Sequence, residues 1–296
     1  MLSDNLRIQN LNKLNIFLIY IVAVVTLSVA GQSHAAELTI GSFNIKSFGT
    51  TKASNPYVMR RLAHVLARYD IAFLQELRNK DQLAIFALKD ALEKYTGKRY
   101  SIIISQPLGR STYKEQYAYI FDPKKVELLD FYTYEDGEEP YYDTFSREPF
   151  IAQFKHKASK EKFATVGVHI APSFVMNELD EMINVYRDIK SRWNRENIII
   201  MGDLNADCRY LDEYEEDNLI LKADPRFTWL IERGADTTTA INTHCAYDRF
   251  ITTGDLSQKV NHSKTGVYNL MRELNLYEDE ADAISDHFPI ELTLDL

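Results

Sequence analysis

Acidic and amide side chains follow a run of apolar residues in the segment "IIIMGDLNADCRY", residues 198–210. Asp203 and Asn205 lie directly beyond that run, so a strand that enters the core would carry both of them with it. Burying a charged carboxylate among apolar side chains is costly unless a cation or hydrogen bonds compensate the charge. The segment therefore predicts that Asp203 belongs to a polar site with a chemical role.

Five other segments end or interrupt an apolar run with side chains that can bind a ligand. They contribute Asn44 in "GSFNI", Glu76 and Arg78 in "FLQELR", His169 in "GVHIAP", Tyr247, Asp248 and Arg249 in "CAYDRF", and Asp286 and His287 in "ISDHFPIEL". A crevice at the strand ends of an α/β fold would collect these groups in one place.

The residue types in this set favour a hard divalent cation. Carboxylates and amides without cysteine select Mg²⁺, Mn²⁺ or Ca²⁺ rather than zinc, and Glu76, Asn44 and Asp286 fit the needs of Mg²⁺. Histidines that the metal does not bind are free to transfer protons. Four arginines are candidates to bind phosphate oxygens: Arg78, Arg110, Arg147 and Arg249. Together these groups indicate phosphodiester hydrolysis.

Short apolar runs of strand length alternate with helical patterns early in the chain and follow one another more closely later. The strand-like runs are 38–45, 71–75, 101–105, 117–121, 150–154, 163–170, 197–202 and 290–296. Amphipathic helical patterns cover "NPYVMRRLAHVLARY", "KDQLAIFALKDALEKYTGK" and "PSFVMNELDEMINVYRDIKSRW". In the first of them, Asn55 is the expected cap and Pro56 lies in the first turn. This order of elements predicts an α/β sandwich.

The first 36 residues have the layout of a cleavable secretory signal. A polar segment, 1–15, precedes an apolar run, 16–30, and small residues at 33, 35 and 36 form a cleavage site. A membrane anchor is the alternative, but the run is shorter than the ~20 residues that a spanning helix needs. We expect an extracellular protein, or a periplasmic one in a bacterium, without stable membrane association after cleavage.

Residues 37–296 are expected to form one domain, because they contain no linker, low-complexity run or repeat. The net charge of −9 argues against a protein that coats nucleic acid through a global basic surface, but a local cluster can still bind phosphates. Two cysteines, Cys208 and Cys245, predict a disulfide in an exported chain. A two-cysteine metal site is the alternative and lacks the spacing of a zinc centre.

Eight segments, in order from about Leu38 to the C-terminus, resemble the deoxyribonuclease I family of the endonuclease/exonuclease/phosphatase superfamily. They are "FNIKSFG", "LQELR", "LGRSTYKEQY", "FSREPF", "VHIAPSFVMNELDEM", "MGDLNADCRY", "ADTTT…THCAYDR" and "ISDHFPIEL". "GDLNADC", "SDHFP" and the glutamate motif mark only the superfamily. "LGRSTYKEQY", "SREPF" and "CAYDR" are narrower and indicate the nuclease branch.

The resemblance implies a four-layer sandwich of two packed mixed β-sheets flanked by helices, with the site in a cleft between the sheet edges. The groups implied to surround the catalytic Mg²⁺ or Mn²⁺ and the scissile phosphate are Glu76, Asn44 and Asp286. The groups implied to orient the attacking water or the phosphate are Asp203 and Asn205. Two acid–base units are implied, His287 with Asp248 and His169 with Glu115, and which histidine is the base stays open. The residues implied to contact DNA are Arg78, Arg110, Tyr113, Arg147 and Tyr247.

The activity implied by the resemblance is a secreted, metal-dependent endonuclease that cleaves double-stranded DNA as a monomer and leaves 5′-phosphate ends. The implied arginine and tyrosine contacts would bind DNA phosphates and detect groove shape, so the selectivity of cleavage for DNA sequence would be weak. The alternatives are an exported phosphodiesterase of the same superfamily that acts on phospholipid, as a sphingomyelinase does, and the nuclease subunit of a multi-chain toxin. Binding to actin or to toxin subunits does not follow from these motifs.

Two features depart from the family pattern. The loop "YEDGEEPYYDTFSREPF" lacks the second small disulfide that family members often carry, although Asp136 and Asp143 could hold a structural Ca²⁺ there. A second Ca²⁺ position would involve Asp236 and Thr238.

The second departure is Gln116, which stands where a basic residue often follows the glutamate, so one phosphate contact would be lost.

Judged one at a time, several of these residues have ordinary structural explanations. A lone histidine after a strand, such as His169, is more often a satisfied core residue than a catalyst. Tyr113 and Tyr247 would more often be packing residues, and Arg147 and Arg249 could form salt bridges. The joint occurrence of eight ordered motifs favours the catalytic interpretation.

Overall fold

The computed structural model of the chain describes residues 36–137 and 143–296, and within them twelve strands form two six-stranded sheets. The first sheet has the order β11 (Gly266–Val267), β12 (Ile290–Asp295), β1 (Glu37–Phe48), β2 (Ile71–Leu77), β4 (Gln116–Phe121) and β3 (Ser101–Ile104). The second has the order β5 (Val126–Thr133), β6 (Phe150–His156), β7 (Lys162–Gly167), β8 (Ile198–Asp203), β10 (Asp248–Thr253) and β9 (Phe227–Trp229). Both sheets are mixed, because β1 runs parallel to β2 and β7 parallel to β8 whereas the other neighbours are antiparallel.

The helices of the described part vary widely in length. Their bounds are α1 (Thr50–Ala53), α2 (Pro56–Leu66), α3 (Leu83–Thr96), α4 (Val175–Trp193), α5 (Glu213–Asn218), α6 (Ile220–Ala223), α7 (Leu270–Leu274) and α8 (Glu278–Ile284). Helix α2 begins as the sequence predicts, since the Asn55 side chain accepts hydrogen bonds from the backbone N–H groups of Tyr57 and Val58.

Three apolar clusters divide the fold into four layers. The cluster between the sheets is rich in aromatic rings, such as Phe73 and Tyr119 with centroids 5.0 Å apart, and Tyr119 and Phe154 at 6.0 Å. A second cluster joins the outer face of the first sheet to α2 and α3, and a third joins the second sheet to α4. The predicted sandwich of two mixed sheets flanked by helices is therefore confirmed. Strands covered on both faces explain the uninterrupted apolar runs.

Residues 36–296 form one compact unit. Residues 1–35 of the predicted secretory signal lie outside the described residues, so its cleavage stays a prediction. Among the described helices, none has the length and apolar character needed to cross a bilayer.

Gly202, in β8, occupies a position that no side chain fits. Its φ is +145°, and a Cβ atom built there would lie 1.8 Å from the Val168 carbonyl oxygen. We predict that Gly202→Ala lowers the free energy of unfolding by about 2–6 kcal/mol, from backbone strain and overpacking together. The matched control is Gly266→Ala, because a Cβ there meets no atom within 4 Å. Urea denaturation measures both, and equal midpoints for the two variants would contradict this account of Gly202.

Candidate active site

The ends of several strands meet at one edge of the two sheets. Asp203 ends β8, and Asp248, the first residue of the antiparallel strand β10, pairs directly with it. His169 follows the end of β7, which runs parallel to β8. From the first sheet, Glu115 precedes β4 and His287 precedes β12. The predicted convergence of polar groups at the strand ends is thus present in the structure.

The centre of this cluster is the carboxylate of Asp203, which is 2% exposed. Its Oδ2 atom lies 3.4 Å from Nε2 of His169 and 3.4 Å from Nε2 of His287. The same oxygen accepts a hydrogen bond from Nδ2 of Asn44 at 3.2 Å, and Oδ1 accepts one from the backbone N–H of Asn205 at 3.1 Å. The charge that the sequence buries is therefore surrounded by hydrogen-bond donors and two imidazoles.

Each imidazole is held on its other nitrogen by a second carboxylate. Nδ1 of His169 lies 3.3 Å from Oε2 of Glu115, and Nδ1 of His287 lies 2.7 Å from Oδ2 of Asp248. These are the two pairs that the resemblance implies. Because both pairs direct Nε2 toward Asp203, the space beside Asp203 can exchange protons with either ring.

The electrostatics of the two pairs differ. Burial alone would lower the pKa of His287, but the charges of Asp248 and Asp203 more than offset it and raise that pKa to about 10. Burial raises the pKa of the Glu115 carboxyl, yet the hydrogen bond and charge of His169, with the charge of Arg147, lower it to about 2. His287 therefore carries a proton at neutral pH, and Glu115 is ionised.

The candidate metal ligands lie where β1 and β2 both bulge. The pairing of these parallel strands shifts after Asn44, and Lys46, Ser47 and Glu76 adopt positive φ values of 43°, 48° and 60°. Non-glycine residues rarely adopt this conformation, and strain of this kind is concentrated at functional sites. Here it brings Oε1 of Glu76 to 2.9 Å from Nδ2 of Asn44, and Oε2 to 2.7 Å from the Ser47 backbone nitrogen.

These donors are chemically suited to a hard divalent cation. Glu76 offers carboxylate oxygens, and Asn44 offers an amide oxygen that here accepts the Lys46 backbone N–H at 3.0 Å. Asp286, beside His287, is exposed, and its carboxylate forms no hydrogen bond or ion pair with a described residue. Ligand atoms of Asp203, Asp248 and His287 also lie within 4.8 Å of one another. Because Nδ1 of His287 is already bonded to Asp248, we regard that second group as a proton-transfer unit rather than a ligand set.

The predicted DNA-contact residues occupy three kinds of position. The Arg78 guanidinium lies 3.9 Å from the ring centroid of Tyr113, which is 43% exposed. Arg147 is mostly buried and donates from Nε and Nη2 to the His169 carbonyl oxygen. Arg110 forms an ion pair with Asp143 at 3.0 Å. Arg78 and Tyr113 thus offer accessible groups, whereas Arg147 supports His169.

Tyr247 lies beside His287, with ring centroids 6.4 Å apart. Arg249, two residues further along the chain, does not reach the surface near His287. Arg249 is fully buried and donates to the carbonyl oxygens of Ile231 and Ala206 at 2.5 and 2.7 Å. The interpretation of Arg249 as a phosphate ligand is therefore wrong, because its guanidinium is enclosed by the protein.

The candidate Ca²⁺ residues already have partners within the protein. Oδ2 of Asp136 accepts the backbone N–H groups of Thr144 and Phe145, and Asp143 pairs with an arginine. Oδ1 of Asp236 accepts hydrogen bonds from the backbone and the hydroxyl of Thr238. Binding of Ca²⁺ at either position stays a prediction.

The predicted disulfide is present between Cys208 and Cys245, with Cα atoms 5.8 Å apart. It joins the loop after β8 to the segment before β10, and so connects the two pieces of chain that carry Asp203 and Asp248. The alternative of a two-cysteine metal site does not apply.

Three buried polar residues that hold the site were not predicted from the sequence. Gln75 accepts the backbone N–H of Asp203 at 2.7 Å, and the Tyr117 hydroxyl accepts that of His169 at 2.9 Å. Glu178 accepts N–H groups from two loops, those of Ser146 and Ala171. A polar residue inside an apolar run, such as Gln75 in "IAFLQEL", is the signal that could have identified the first of them.

Comparison with known proteins shows the family of this chain. The model of the endonuclease/exonuclease/phosphatase family matches residues 41–287. Deoxyribonuclease-1 of Rattus norvegicus is 43% identical over 263 residues, which cover 88% of this chain and 92% of the rat protein. Deoxyribonuclease-1 of Equus caballus is 42% identical over 272 residues, covering 90% of this chain and 96% of the horse protein. The chain belongs to the deoxyribonuclease-1 branch of the endonuclease/exonuclease/phosphatase family.

Solved structures share the fold of this family member at much lower identity. A family protein from Leptotrichia buccalis has a TM-score of 0.61 at 15% identity, covering 88% of this chain and all of its own. One from Bacteroides vulgatus has a TM-score of 0.60 at 17% identity, with coverage of 88% and 99%. At such identities the likeness supports the fold alone.

The paired carboxylate should control the protonation of His287. We predict that Asp248→Asn lowers the pKa of His287 from about 10 by more than one unit, because Asp248 is the largest favourable charge acting on the ring. In the wild type, His287 then stays protonated at pH 8, whereas in the variant a larger fraction of the rings is neutral. NMR titration of the imidazole signals measures this. An unchanged midpoint would show that Asp248 does not set the protonation of His287.

Proposed function

We propose that this chain is a secreted, divalent-metal-dependent endonuclease that hydrolyses double-stranded DNA with weak sequence selectivity and leaves 5′-phosphate ends. The observation that carries the proposal is the position of Asp203 Oδ2 between two imidazoles, each backed by its own carboxylate. Such a centre suits in-line displacement at phosphorus, which needs a base on one side and an acid on the other. The similarity to deoxyribonuclease-1 proteins over more than nine-tenths of their length supports DNA as the substrate.

The raised pKa of His287 supports a division of labour between the histidines. His287, protonated at neutral pH, donates its proton from Nε2 to the leaving 3′ oxygen as the P–O3′ bond breaks. His169, oriented by Glu115, takes the proton of the water whose oxygen forms the new bond to phosphorus. Asp203 and Asn205 orient that water and the phosphate. The products are a 5′-phosphate and a 3′-hydroxyl end.

The residues that would hold the catalytic cation are Glu76, Asn44 and Asp286, with Mg²⁺ or Mn²⁺ as the expected ion. When bound, it would neutralise charge on the phosphate in the transition state. Asn44 also donates to Asp203, so the ligand set and the proton-transfer centre share one side chain. Ca²⁺ at Asp136 with Asp143, or at Asp236 with Thr238, would be structural.

The expected DNA contacts are made by guanidinium and phenol groups, which bind phosphates and follow groove shape. They are Arg78, Tyr113 and Tyr247. Arg110 and Arg147 are expected to add phosphate contacts while they remain bonded to Asp143 and to the His169 carbonyl oxygen. We expect the protein to act on DNA as a monomer.

The sequence layout of residues 1–36 supports export, and the disulfide supports an oxidising compartment. We therefore propose that residues 37–296 act as a single catalytic domain, outside the cell or in a bacterial periplasm.

We predict that the protein nicks supercoiled plasmid in Mg²⁺ or Mn²⁺, that EDTA abolishes the nicking, and that added Mg²⁺ restores it. The reason is that the candidate ligands are oxygen donors for a hard cation. Gel analysis of plasmid forms measures this, with phosphocholine release from sphingomyelin assayed in parallel. Lipid cleavage without nicking would favour the phospholipid alternative and contradict the proposal, as would nicking that persists in EDTA.

Removal of either imidazole should slow the chemical step. We predict that His169→Ala and His287→Ala each reduce plasmid turnover by roughly 10²–10⁴-fold, the usual contribution of general acid–base catalysis. His262→Ala is the matched control, because that histidine is exposed and begins a short 3-10 helix, His262–Lys264, before β11. Thermal melts establish that the variants are folded. A folded variant of either active-site histidine within threefold of the wild type would remove that residue from the mechanism.

A further inference from the structure

Arg209 is an exposed residue on the loop that follows Asp203, and its side chain is stacked rather than extended into solvent. The guanidinium lies 4.6 Å from the ring centroid of Tyr210, and Nη2 donates to the Tyr210 hydroxyl at 2.5 Å. Both partners are adjacent in sequence, so one short loop presents the positive charge on an aromatic support.

This stack leads directly to the active site. The Tyr210 ring lies 5.4 Å from the Tyr247 ring, which in turn lies 6.4 Å from the imidazole of His287. Three successive contacts therefore connect the guanidinium to the proton donor. Tyr247, one of the predicted DNA contacts, thus lies between the aromatic support of Arg209 and the proton donor.

The loop that carries Arg209 is fixed at its base. Cys208 is joined to Cys245 by the disulfide, and Oδ2 of Asp207 accepts the backbone N–H of Ala246 at 2.7 Å. Oδ1 of Asp207 also forms an ion pair with Arg233 at 2.8 Å. A charge held on a rigid loop loses less conformational entropy when it binds a ligand.

A similar arrangement flanks the other acid–histidine pair. There Arg78 stacks on Tyr113, whose hydroxyl lies beside Glu115. A cation stacked on a tyrosine thus lies outside each imidazole, on a protein whose net charge is −9. An anionic polymer that crosses the site would meet a positive group at both ends of the catalytic centre.

We propose that Arg209 binds a backbone phosphate of the DNA on the His287 side of the scissile bond, as a second electrostatic anchor opposite Arg78. The guanidinium supplies several N–H donors to phosphate oxygens while its face remains on Tyr210. This inference rests on the proposed nuclease function, and it adds a residue to the predicted DNA contacts.

The test compares Arg209→Gln and Arg209→Lys with Arg99→Gln. Arg99 is a matched control because its side chain is 88% exposed and it precedes β3, at the end of the first sheet away from Glu115. Binding of a fluorescent duplex is measured in EDTA at several salt concentrations, from about 50 to 200 mM. Plasmid nicking in Mg²⁺ then gives KM and kcat, and hydrolysis of bis(p-nitrophenyl) phosphate reports on a diester without neighbouring phosphates.

Loss of one phosphate contact should reduce the slope of log affinity against log salt by about 0.9. We expect Arg209→Gln to show that change and a KM for DNA raised about 2- to 5-fold at low salt. Arg209→Lys should retain the wild-type slope, because it keeps the charge, and Arg99→Gln should match the wild type.

Two results would overturn the inference while leaving the nuclease function intact. In the first, the wild type nicks DNA but Arg209→Gln has the same salt slope as Arg99→Gln. In the second, Arg209→Gln loses activity equally on DNA and on the small diester, which would assign Arg209 to the structure of the site. A wild type that neither binds nor nicks DNA would instead refute the proposed function itself.

Discussion

The negative charge of Asp203 is buried, and the protein has to compensate it from within. Two imidazole nitrogens at 3.4 Å and the Asn44 amide at 3.2 Å meet that need around one oxygen atom. Since desolvation makes an uncompensated carboxylate costly, the folded state favours the positions of these groups. The same arrangement directs the Nε2 atoms of two imidazoles at one point, so in the proposed mechanism the groups that stabilise Asp203 are also the groups that transfer protons.

The rest of the fold delivers these groups from elements far apart in sequence. Two sheets packed through aromatic rings align their strand ends, and paired bulges in β1 and β2 turn Asn44 and Glu76 toward the same space. Two buried side chains further restrain the site. Gln75 accepts a hydrogen bond from the backbone N–H of Asp203, and the Tyr117 hydroxyl accepts one from the backbone N–H of His169. The strained backbone at the bulges is tolerated because the Glu76 carboxylate accepts hydrogen bonds from the Asn44 side chain and from the Ser47 backbone.

Sequence patterns predicted much of this arrangement. Apolar runs predicted eight of the twelve described strands, and polar residues at the ends of apolar runs predicted the groups that meet at the sheet edge. The runs did not include β5, β9, β10 and β11, although β10 is buried throughout. Sequence patterns did not predict which polar side chains are buried by specific partners. Arg249 and Arg78 are the same residue type, and only the position of Arg249 inside the core distinguishes them. Short elements such as α5 and α6 were also missed, since their few residues depend on tertiary packing rather than periodicity.

The most direct test of the central claim is the turnover of Asp203→Asn on plasmid DNA in Mg²⁺, measured alongside its thermal melt. This substitution keeps the size of the side chain and removes the charge that both imidazoles face. The account predicts a folded protein whose turnover falls by roughly 10²–10⁴-fold, the range expected when proton transfer is disrupted. A folded variant that retains turnover within threefold of the wild type would contradict the central role of Asp203.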